Sequence, residues 1–70
     1  MEIEIVGPIF KCEEDEKIFF SRLHDIDGFE GVVGKGFNLH LSLIAKSGEG
    51  QIRELQSICN MWGTSFKVLN

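Results

Sequence analysis

From Glu2 to Val6 the chain reads Glu, Ile, Glu, Ile, Val, a two-residue alternation that predicts a strand with Ile3 and Ile5 on one face and the glutamates on the other. Gly7-Pro8 interrupts it. Because proline cannot donate to a ladder, Ile9 and Phe10 either continue past a bulge or open the connection. A longer period takes over next: Phe19, Leu23 and Ile26 repeat at helical spacing, flanked by Ile18 and Phe20 and preceded by the acidic run Glu13-Glu14-Asp15-Glu16. This predicts a helix over 13–25, closed by Asp27-Gly28. Phe29 to Val33 reads as a short strand and Gly34-Lys35-Gly36 as a hairpin turn. Residues 37–44 then give the most regular strand of the chain, with Phe37, Leu39, Leu41 and Leu43 facing inward and Asn38, His40 and Ser42 outward. Beyond a polar loop from Lys46 to Gly50, Ile52, Leu55, Ile58, Cys59 and Trp62 recur at spacings of three and four and predict a helix over 49–62. Gly63 is placed to cap it in a left-handed conformation. Ser65 to Leu69 supplies a last strand, with Phe66 and Val68 on one face and Lys67 on the other.

The order βαββαβ, two βαβ-like halves around a central hairpin, is the ferredoxin-like arrangement. The expected fold is therefore an α+β sandwich, a four-stranded antiparallel sheet with two helices on one face, formed by residues 1–70 as a single domain. Right-handed crossovers make strands one and three central and strands two and four edges. The helices should bury Ile3, Ile5, Leu39, Leu41 and Val68 against Phe19, Leu23, Leu55 and Ile58, with the aromatics Phe37, Phe66 and Trp62 also pointing inward. The uncovered face should show Glu2, Glu4, Asn38, His40, Ser42 and Lys67.

An apolar fraction of 43% spread along 70 residues suits one folded core. A chain this short buries only roughly 60% of its unfolded surface, so a disulfide, a metal or a second subunit would add needed stability. Two cysteines, Cys12 and Cys59, do not make a disulfide framework. The acidic N-terminal stretch lacks the basic start of a secretory signal, and no apolar run is long enough to cross a membrane; the expected location is the cytoplasm.

The net charge is -4, and the seven basic residues stand singly, which argues against a nucleic-acid backbone as partner. Nor does the expected outer face carry the stacking aromatics of an RNA-recognition module. Carboxylates at Glu13, Glu14, Asp15 and Glu16 suit the first turn of a helix, each worth about 0.3–1 kcal/mol against the helix dipole. The alternative is an acidic surface, extended by Asp25 and Asp27, that meets a basic protein.

Other motifs dissolve on inspection. Asp25, Asp27, Gly28 and Glu30 lack the further ligands of a calcium loop, including a glutamate six residues after the glycine, where Gly34 stands. Gly31, Gly34 and Gly36 lead into a strand, whereas a phosphate-cradling loop must lead into a helix. Cys12, His24, His40 and Cys59 lack the close spacing of a zinc pair, and a metal-carrying domain of this topology would need a second cysteine in the loop from Pro8 to Cys12. No metal and no cofactor is expected. Cys12, at a helix start, is placed for a redox role, and Glu4 beside His40 forms an acid-base pair or an ordinary cross-strand ion pair.

The leading expectation is a non-catalytic binding or regulatory module, acting through self-association or a protein partner. A small-molecule sensor or carrier using the loops of Lys35 and Lys46, and an enzyme built on Glu4 and His40, are the alternatives.

Overall fold

The structure, a computed structural model, describes residues 1–44 and 48–69. Its elements run β1 (Glu2–Val6), α1 (Glu13–His24), β2 (Phe29–Lys35), β3 (Asn38–Leu43), α2 (Glu49–Met61) and β4 (Ser65–Val68). They form the expected βαββαβ fold, with a fully antiparallel sheet in the order β2-β3-β1-β4. The alternation in β1 and β3 is what assigns these strands to the centre. Ile3 lies opposite Leu41 and Ile5 opposite Leu39, so a continuous aliphatic surface forms on one side, and the glutamates line up with His40 and Ser42 on the other.

Both helices cover the aliphatic side. Phe19 and Leu23 of α1 and Leu55, Ile58 and Cys59 of α2 are buried there with Ile3, Ile5, Leu41 and Leu43. Phe19 is the hub. Its ring centroid lies 5.2 Å from Phe10, 5.7 Å from Phe20 and 5.1 Å from Trp62, each near edge-to-face, the geometry favoured by the aromatic quadrupole. The segment after Pro8 is thereby a connection, folded back so that Phe10 packs on this cluster.

Local chemistry sets the helix ends. At the start of α1 the Asp15 carboxylate accepts the Lys11 N–H at 3.2 Å and the Trp62 indole N–H at 3.0 Å, tying the first turn of α1 to the end of α2. Gly48 precedes α2, its N–H donating to Gln51 Oε1 at 2.9 Å. Gly63, at φ +63°, ends α2 in a Schellman motif, in which Thr64 N–H reaches the Cys59 carbonyl at 2.9 Å and Gly63 N–H the Asn60 carbonyl at 3.3 Å.

Three expectations change. β2 continues through Lys35, which pairs with Asn38, so the hairpin loop is only Gly36-Phe37. Gly36 takes φ +64°, the first position of a type II′ turn. Phe37 consequently sits in the turn beyond the end of the helices and is 96% exposed instead of inward. Val68 does face the helix side, opposite Ile3, but on an edge strand at the margin of helix cover, and it remains 50% exposed.

Truncating Phe19 to alanine removes the hub of the aromatic cluster and should cost about 3–5 kcal/mol, close to the whole stability of a small domain. Phe37→Ala should stay within about 0.5 kcal/mol of the parent. Urea denaturation followed by circular dichroism measures both; equal losses would contradict the assignment of the core.

Candidate functional site

The uncovered face of the sheet gathers the polar side chains of its two central strands. Glu2 of β1 lies opposite Ser42 of β3, and Glu4 lies between His40 on one side and Lys67 of β4 on the other. Each glutamate then takes one diagonal and one directly opposed partner. His40 Nε2 is hydrogen-bonded to Glu2 Oε1, not to the directly opposed Glu4, and the Ser42 hydroxyl donates to the same oxygen at 3.1 Å. Glu4 Oε2 accepts the Asn38 amide at 3.2 Å, and Glu4 Oε1 lies 3.4 Å from Lys67 Nζ. Asn38 in turn accepts the Gly7 N–H at 2.9 Å, locking the end of β1 to the start of β3.

This network has an electrostatic consequence. The His40 hydrogen bond, followed by that of Ser42, holds the Glu2 carboxyl below its ordinary range, and the Asn38 amide, aided by Lys67, does the same to Glu4. The Glu4-His40 acid-base pair is thus corrected: the strands are in the expected register, but His40 is engaged by Glu2. Neither of two depressions on the described surface is lined by these residues. A depression of about 370 Å³ runs along α1 between Glu14, Ile18 and Arg22, and one of about 230 Å³ lies between Ile9, Lys11, Asp15, Met61 and Trp62. Among the described residues, no three His, Cys, Asp or Glu side chains are grouped to hold a metal ion.

The acidic residues do not form one surface. Glu13, Glu14, Asp15 and Glu16 occupy the first turn of α1, whereas Asp25 caps its other end and Asp27 follows it. Twelve residues of helix, about 18 Å, separate Glu13 from Asp25. Asp15 is committed to Lys11 and Trp62, and Glu13 pairs with Lys17 at 3.7 Å. Lys35 ends β2 at the hairpin; Lys46 lies outside the described residues.

Cys12 is exposed at the N-cap of α1 and makes no side-chain capping bond, and Cys59 is buried in α2, where desolvation pushes its thiol up to about 11. No helix among the described residues is long and apolar enough to cross a membrane.

Sequence reasoning missed the two-residue turn of the β2–β3 hairpin, where Phe37 is exposed; Val33 on β2 is 57% exposed. The signal was present in Gly36 preceding one residue and then Asn38, the spacing of a two-residue loop. Comparisons with protein-family models, with curated proteins and with solved structures find no match to this chain.

Lowered carboxyl values make the network a source of acid sensitivity. Its stabilisation is complete above the ordinary glutamate value of 4.5 and is lost as pH falls below that through the lowered native values. Glu2→Gln/Glu4→Gln should therefore be less stable than the parent at neutral pH, and the gap should close on acidification. Urea midpoints at a series of pH values measure this; a constant gap would contradict it.

Proposed function

We propose that the chain is a non-catalytic binding module that acts by associating with protein, in the first instance with a second copy of itself. The observation that carries this reading is the exposed apolar side chains of the β2–β3 hairpin, Phe37 at 96% and Val33 at 57%. Exposed large apolar groups that cluster on one element mark interaction surfaces, and a 70-residue chain gains stability from association by mass action. The polar sheet face supports the same conclusion from the other direction. His40 and both glutamates are engaged with neighbours, which disfavours an enzyme built on them.

A sensor built on Lys35 draws no support from the two depressions, since neither includes it. A regulator presenting one acidic surface to a basic enzyme is disfavoured by the separation of the carboxylates to opposite ends of α1. The reading places the module in the cytoplasm, where thiols such as Cys12 and Cys59 persist unpaired.

Sedimentation equilibrium from low micromolar to submillimolar chain should show the mass rising from 7.9 kDa toward twice that value. A mass constant at that of the monomer throughout would overturn the proposal.

A further inference from the structure

Association of this kind needs a surface, and the sheet offers three: its outer face, the β4 edge and the β2 edge. The outer face is closed upon itself by the network of Glu2, Glu4, Asn38 and His40, so covering it would desolvate charges already paired. β4 is four residues long and carries Lys67 at its middle, a charge that protects an edge. β2 differs. It is the longest strand, with seven residues and no proline, and among the described residues it pairs only with β3. Its backbone therefore keeps one free flank of N–H and C=O groups.

The sequence along that flank is self-complementary. Glu30-Gly31-Val32-Val33-Gly34-Lys35 reads small, large, large, small between charges of opposite sign. A parallel copy would set like charges together; an antiparallel copy brings Glu30 of each chain to the Lys35 end of the other. The glycines leave the way open, since a Cβ built on Gly31 or Gly34 meets nothing within 4 Å. The irregularity of the ladder lies between Phe29 and Gly31, at the start of the strand, leaving Gly31 to Lys35 regularly paired to β3.

We infer that a second copy of this chain docks on the β2 edge, antiparallel, continuing the two sheets into one of eight strands. This inference rests on the self-association proposed above. Symmetry completes the geometry. Two identical antiparallel strands side by side are related by a two-fold axis perpendicular to the sheet, so the helices of both copies lie on the same side. Val32 faces the helix side, opposite Leu41, and Val33 the outer face, opposite His40. The axis therefore runs at Val33, which meets Val33 of the second copy while Lys35 comes opposite Gly31, beside Glu30. Main-chain hydrogen bonds supply the affinity, and the end charges fix the direction.

Charge reversal tests it. Glu30→Lys and Lys35→Glu each set like charges at both symmetry-related ends and should weaken dimerisation roughly tenfold, whereas the double swap should restore it. Val33→Lys, which sets two like charges beside the axis, should abolish dimerisation over the same concentration range. The changed side chains are exposed, so the thermal melting of each variant at low concentration should match the parent and report its folding. A parent chain that never dimerises would overturn the association reading and this inference with it. A parent that dimerises while all these variants dimerise equally well would leave association standing and overturn the β2 contact.

Discussion

Seventy residues supply two helices, and two helices cover one face of a four-stranded sheet. Everything else in the structure answers to that constraint. Ile3, Ile5, Leu41 and Leu43 must all point to one side, because only there can they leave water, and the strict alternation of β1 and β3 is the means. The residues between them are turned to the uncovered face by the same geometry and are half-buried there. They are accordingly polar, and they are paired with one another across the strands.

The two sides are held together by different physics. On the covered side Phe19 packs against Phe10, Phe20 and Trp62, and Asp15 fastens the indole of Trp62 while holding the start of its own helix. One carboxylate thus joins the two helices at the end of the molecule where the chain crosses from β1 to α1. On the open side the glutamates exchange water for histidine, serine, asparagine and lysine partners. That arrangement contributes specificity of register more than stability, since exposed pairs are individually weak. What neither side resolves is the edge, where β2, among the described residues, runs its full length without a strand on one flank.

The architecture was legible in the sequence because the periods of two and 3.6 are unbroken wherever an element has one buried face. Gly63 announced its cap for the same kind of reason, since a left-handed residue after an apolar-periodic helix favours glycine. Phe37 and Val68 were misread because periodicity continues past the point where cover ends. Phe37 keeps the alternation of β3 but belongs to the turn, and Val68 keeps that of β4 but lies at its open margin. The face holding Glu4 and His40 was readable, yet the diagonal choice of Glu2 by His40 was not, because it depends on side-chain reach across a twisted ladder. The division of the acidic residues between the two ends of α1 follows from helix length alone and could have been drawn from the sequence.

The central proposal is that the flank of β2 left unpaired among the described residues receives a second copy of the chain. Amide hydrogen exchange by NMR at several chain concentrations addresses it residue by residue. Amides of β1 and β3 should be protected throughout, and alternate amides of β2, open at low concentration, should gain protection as concentration rises. Protection of β2 that is independent of concentration, or concentration-dependent protection confined to other elements, would contradict the account.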